Sequence, residues 1–148
     1  MRTAVAAAAI ALVCATSCGA SPAPTRREYL AHVSSVCRGY ARKLARVPAP
    51  ADPAAYGDVI ASLRRALPLL RAQERAMRGI TAPQPVLAAS VGRLLALDRR
   101  AITRLEAALA AARRRDAGGV ATGLARFTSD RDQVHRTAED LGIRCDPN

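Results

Sequence analysis

A chain of 148 residues has room for one domain with a modest core. With three Tyr, one Phe and no Trp, its apolar half is mostly Ala, Leu and Val, and scarcely any stretch alternates β-branched residues at period two, which argues against a sheet and for an all-α fold. The net charge of +11 rests almost wholly on arginine, Lys43 being the one lysine; it would attract nucleic acid, anionic lipid or acidic polymer unless it merely solvates the helix faces.

The N-terminus narrows that choice. Met1-Arg2-Thr3 precedes an apolar run from Ala4 to Ala15, shorter than the ~20 residues of a membrane-spanning helix and suited to the core of a signal peptide. It ends in Ala15-Thr16-Ser17-Cys18-Gly19, which resembles a bacterial lipobox with Ala15 where Leu is usual. Residues 1–17 are therefore expected to be a lipoprotein signal peptide, Cys18 to carry the lipid (palmitate-type acyl chains), and 18–24 to form a proline-broken tether. The alternative is ordinary cleavage near Ser17 or Ala20 and a secreted protein. Either route makes the product extracytoplasmic and argues against nucleic acid as a partner.

With Cys14 removed and Cys18 acylated, Cys37 and Cys145 remain. In an oxidising compartment, two thiols at opposite ends of a domain read as one disulfide. Closing a loop of about 110 residues would contribute roughly 4–5 kcal/mol. Two free buried thiols are the alternative. A metal pair is weaker, because neither cysteine has a second Cys or a His at ligand spacing.

Residues 25–148 divide into four helical patterns, expected at roughly 25–47, 53–78, 84–115 and 117–141. Thr25 and Glu28 have the capping-box spacing, and Leu30, Val33, Cys37, Tyr40, Leu44 and Val47 form a narrow seam behind them. Asp52-Pro53 reads as N-cap and first residue of the second helix, with Tyr56, Ile60, Leu63, Leu67, Leu70 and Met77 on its apolar face. Pro68 predicts a kink and Gly79 a left-handed cap. The third helix, Val86 to Arg115, is the longest pattern, with Leu87, Val91, Leu94, Leu95, Ile102, Leu105 and Leu109 in one stripe that Asp98 interrupts. Its closing Arg113-Arg114-Arg115 opposes the helix dipole, and Asp116-Ala117-Gly118-Gly119 reads as the turn. The fourth helix sets Val120, Leu124, Phe127, Val134, Ala138 and Leu141 on one face before Gly142.

Short connections favour an antiparallel up-down-up-down four-helix bundle with helix four beside helix one, so that Cys145 reaches Cys37. In that register Arg131, which interrupts the fourth stripe, lies about three residues, or about 4.5 Å of rise, from the position opposite Asp98. An Asp98–Arg131 ion pair follows. Its expected role is to fix register in an Ala-rich interface, ahead of the alternative that Asp98 lines a ligand cavity.

The residues of familiar chemistries are missing or scattered. His32 and His135 are expected to lie apart and face solvent, so no metal or other cofactor is expected. No serine sits in a nucleophile elbow, and Gly92 and Gly118-Gly119 lack the strand and Lys-Ser/Thr of a phosphate loop. Glu74, Glu106 and Glu139 read as ordinary acids on charged helix faces. An enzyme is not expected.

The lipobox-like segment, Tyr29 and Cys37 in helix one, the hinges at Pro48/Pro50 and Pro83/Pro85, and the closing Ala138-Glu139-Asp140-Leu141-Gly142-Ile143-Arg144-Cys145 resemble small helical lipoproteins of high-GC Gram-positive bacteria. The resemblance covers nearly the whole mature chain and implies export, four helices and a Cys37–Cys145 bond; it implies no activity. The expected function is a membrane-tethered, non-enzymatic binding or scaffold protein. It would contact a protein or an anionic envelope polymer through Arg64, Arg65, Arg71, Arg75, Arg78, Arg99 and Arg100. The alternatives are a carrier of a small apolar ligand near the Pro68 kink and a spacer with no ligand.

Overall fold

A computed structural model describes residues 23–52 and 54–146, so the expected signal peptide, Cys18 and most of the expected tether lie outside the described residues, as does Pro53. The described residues form four helices and no strand: α1 (Arg26–Leu44), α2 (Tyr56–Arg78), α3 (Pro85–Arg113) and α4 (Ala117–Leu141). None of these helices is long and apolar enough to cross a membrane.

α1 opens on a capping box. Thr25 Oγ1 accepts the Glu28 N–H at 3.2 Å, and the Glu28 carboxylate accepts the Thr25 N–H at 2.8 Å, which holds that carboxyl below its ordinary range. The buried face is Tyr29, Val33, Ser34 and Cys37, turned from the expected seam so that Leu30 and Tyr40 are only half-buried. The helix ends at Leu44 and not at 47. Val47 precedes Pro48, whose ring disfavours helical backbone there, and the last residues close in turns instead.

α2 also departs from its expected start. Asp52 is not its N-cap: the Asp52 carboxylate accepts the Ala54 N–H at 2.8 Å and its carbonyl accepts the Ala55 N–H at 3.0 Å. This local turn competes with helix and delays α2 to Tyr56, capped by Ala55 with no side-chain bond. The helix continues through Pro68. Gly79 caps it with φ −70°, not the left-handed conformation expected, because the chain leaves through one further bond, from Ile80 N–H to the Met77 carbonyl.

The α3–α4 connection corrects the reading of the glycines. Arg115, at φ 58°, makes the reversal: its N–H bonds the Ala112 carbonyl and the Asp116 N–H bonds the Ala111 carbonyl, both at 3.0 Å. That is the Schellman arrangement, with arginine where glycine is usual. Asp116 then caps α4 by accepting the Gly119 N–H at 2.8 Å. Gly118 and Gly119 lie inside α4. Gly119 and Gly123 allow close approach to α3: a Cβ on Gly123 would stand 2.8 Å from Ala108 Cβ, and one on Gly119 2.8 Å from Ala111 Cβ.

α1 packs on α2, α2 on α3, and α3 on α4. Arg71 faces Glu106 while Glu74 faces Arg99, and Ala108 faces Gly123 while Asp98 faces Arg131, so numbering rises on one helix as it falls on the next. α1 and α4 are not the neighbours expected: no Cα of one comes within 8 Å of the other. The C-terminal tail joins them. Gly142 (φ 81°) turns the chain, Ile143 enters the core, and the Arg144 N–H donates to Ser34 Oγ at 3.0 Å. Cys145 Sγ then lies 2.07 Å from Cys37 Sγ, closing a disulfide over 108 residues.

The core is two clusters separated by a polar layer. One joins Val59, Leu63, Leu67 and Leu70 to Ile102, Leu105, Leu109 and Val120. The other joins Tyr29, Val33 and Met77 to Leu87, Val91, Leu94, Val134 and Ile143. Between Leu70 and Met77 fall Gln73 and Glu74; between Leu95 and Ile102 falls Asp98; between Phe127 and Val134 fall Asp130 and Arg131.

Candidate functional site

The polar layer contains the most deeply buried charged groups described. Arg131 Nη1 donates to Asp98 Oδ1 at 2.6 Å, with the Asp98 side chain 5% exposed and that of Arg131 32%. Burial raises the Asp98 carboxyl above its ordinary pKa of 3.8, outweighing the attraction and hydrogen bond of Arg131, which lower it. Glu74 is buried as well, contrary to its reading as a surface acid, and binds Arg78 one turn on and Arg99 Nε at 3.6 Å. Gln73 donates to Cys37 Sγ at 3.3 Å, and its Oε1 has no protein partner. Gln73, Asp98, Arg131 and the disulfide enclose a cavity of about 30 Å³, room for a water or two and no organic ligand. The layer can fix register and hold water.

The seven arginines expected to form a binding surface are all exposed, but they divide by partner. Arg71 pairs with Glu106 at 2.6 Å; Arg78 and Arg99 share Glu74; Arg100 pairs with Asp130 at 2.9 Å and donates to Gln133 at 2.7 Å. Among the described residues, Arg64, Arg65 and Arg75 have no ion-pair partner. Apart from the Glu74–Arg78 pair one turn apart, sequence reading misses this neutralisation because it needs the α2–α3 and α3–α4 registers. The space beside Pro68 is an open groove of about 360 Å³, lined by Arg64, Arg71 and Arg113 as well as Leu67 and Leu109.

His32 and His135 are exposed, and His135 Nε2 lies 3.3 Å from Glu139. No group of three or more His, Cys, Asp or Glu among the described residues could hold a metal.

A second basic surface escapes sequence reading altogether. α1 and the tail form the walls of a groove of about 790 Å³, lined by Arg26, Arg27, Arg38 and Arg144 over a floor that includes Leu30 and Ser34. No carboxylate lines it, and none of the four arginines has an ion-pair partner among the described residues. The nearby acids Glu139 and Asp146 line a separate hollow, which Arg144 also borders. The tail thus divides a basic trough from a mixed one. Arg26 and Arg144 come together only through the 108-residue disulfide loop, so no short-range signal announces the groove. No protein-family model matches this chain, and no curated protein or solved structure matches it.

Proposed function

We propose that this protein is an exported, lipid-anchored, non-enzymatic bundle of up-down-up-down order that holds an anionic partner at the cell envelope, in the manner of the small helical lipoproteins its sequence resembles. The observation behind this reading is the uneven neutralisation of its arginines. α2 and α3 spend much of their positive charge on Glu74, Glu106 and Asp130, whereas Arg26, Arg27, Arg38 and Arg144 converge on one groove with no acid in it. Guanidinium groups with no acid beside them keep their paired donors free for an incoming anion.

Two measurements test the reading. Mass spectrometry of the mature N-terminus is expected to find an acylated Cys18; an unmodified Cys18, or a start at Ser21, refutes the anchor. A protein of residues 18–148 with Cys18→Ser, lacking both lipid and signal peptide, is expected to sediment with isolated envelopes at low ionic strength and to leave them as salt rises, since exposed charges are screened beyond about 8 Å at physiological salt. Retention indifferent to salt excludes an anionic partner.

A further inference from the structure

We propose that the groove between α1 and the C-terminal tail binds a linear polyphosphate strand laid along α1. This rests on the anionic-partner reading above and names the ligand for one site.

The distribution of charge favours a strand over a single anion. Arg26 and Arg27 stand at the start of α1 and Arg38 three turns further on, about 18 Å along the axis at 1.5 Å per residue. Arg144 lies on the opposite wall, its backbone held by the bond to Ser34 and its chain by the next residue's disulfide to Cys37. One phosphate can meet one end of such a trough; a chain of phosphates can meet both ends and both walls. The four arginines come from two walls, α1 and the tail, which suits a strand laid between them better than a flat array of headgroups. The planar guanidinium offers paired donors that match two oxygens of one phosphate at once, as they would a carboxylate, and a polyphosphate strand presents such oxygens at every repeat. Leu30 and Ala31 in the floor add no competing acceptor.

The mature chain, residues 18–148 with Cys18→Ser so that neither lipid nor signal peptide contributes, is titrated with long-chain polyphosphate, with inorganic phosphate, and with phosphatidylglycerol–phosphatidylcholine vesicles. Polyphosphate is expected to bind at least about tenfold more tightly than inorganic phosphate, with affinity falling as salt rises. Arg38→Ser with Arg144→Ser is expected to weaken polyphosphate binding by at least about tenfold, in line with losing charged hydrogen bonds. Arg64→Ser with Arg75→Ser removes the same charge from α2 and is expected to change it by less than about twofold. Arg26→Ser with Arg27→Ser, at exposed positions where folding is not in question, carries the same expectation as the Arg38 and Arg144 pair. Equal losses from the groove and α2 pairs overturn the proposal in favour of net charge alone. Tighter binding to vesicles than to polyphosphate overturns it in favour of a lipid surface. A protein that holds envelopes in a salt-sensitive way yet ignores polyphosphate overturns the strand while leaving the anionic-partner reading intact.

Discussion

The two clusters of the core are closed by different means. Around Val59, Leu67, Leu105 and Val120 closure is steric: Ala108 and Ala111 on α3 meet Gly123 and Gly119 on α4 so closely that a methyl group has no room. Around Tyr29, Leu94, Val134 and Ile143 closure is covalent as well as apolar, because the backbones of α1 and α4 make no close approach and the tail and its disulfide link them. The first cluster draws on helices adjacent in sequence. The second depends on residues more than a hundred positions apart, so its weak point is the link and not the packing.

Removing the link is expected to have the largest effect. Cys37→Ser with Cys145→Ser should lower stability by about 4–5 kcal/mol, read as a shift of the denaturant midpoint. Hydrogen exchange should show the loss in α1 and the tail before α3. Uniform deprotection would mean that the two clusters open as one.

The Asp98–Arg131 pair should prove asymmetric. Arg131→Met leaves a carboxylate that is 5% exposed without a partner, and is expected to cost about 3 kcal/mol. Asp98→Leu leaves an arginine already 32% exposed, which can turn to water, so it should cost clearly less. The double variant should recover most of the larger loss, and additive losses would show that the two side chains do not act together. The pH dependence has a definite sign. Because the folded-state pKa of Asp98 is raised, the folded chain binds that proton more readily than the unfolded chain does. Asp98 therefore adds stability as pH falls through its raised value toward the ordinary 3.8, and withdraws it as pH rises. Relative to Asp98→Asn, the wild-type protein should gain stability on acidification over that window.

Gly123→Ala tests the sterically closed cluster. Its new methyl would meet Ala108 Cβ at 2.8 Å and the Ala108 backbone at 3.0 Å, contacts that no side-chain rotation relieves. A loss of about 1–3 kcal/mol is expected despite alanine's better helix propensity. Added stability would show that α4 can move away from α3 without penalty.

The sequence is most legible where periodicity is long and its exceptions are charged. The α3 stripe from Leu87 to Leu109 is buried throughout, and Asp98 and Arg131 stand out because each breaks such a stripe. Glu74 escapes notice because an acid among arginines looks like an ordinary solvated face; only the α2–α3 register shows that Arg99 joins Arg78 on it and that it is buried there. Gly119 reads as turn residue because glycine has two uses, backbone freedom and absence of a side chain, and composition does not distinguish them. The α1–tail groove is invisible for a third reason: its walls are joined by topology and a disulfide, not by any local pattern.

The smallest expected effect compares the two turns that end α3 and α4, because both use the same hydrogen bonds. Arg115 and Gly142 each sit in the left-handed region, at φ 58° and 81°, with paired bonds back into the preceding helix. For an L-residue with a Cβ that conformation costs about 1–2 kcal/mol; for glycine it costs little. Arg115→Gly should therefore stabilise the protein by about 1 kcal/mol, and Gly142→Ala should destabilise it by a similar amount. The space at Gly142 would admit a methyl group, the nearest atom being Leu30 Cδ1 at 3.8 Å, so any loss there is backbone strain and not collision. Thermal melts of the two single variants and their combination should give opposite shifts that nearly cancel, as expected for distant independent sites. If Arg115→Gly destabilises instead, the Arg115 side chain contributes more than the strain it imposes, and the triple arginine at the end of α3 has a role beyond opposing the helix dipole.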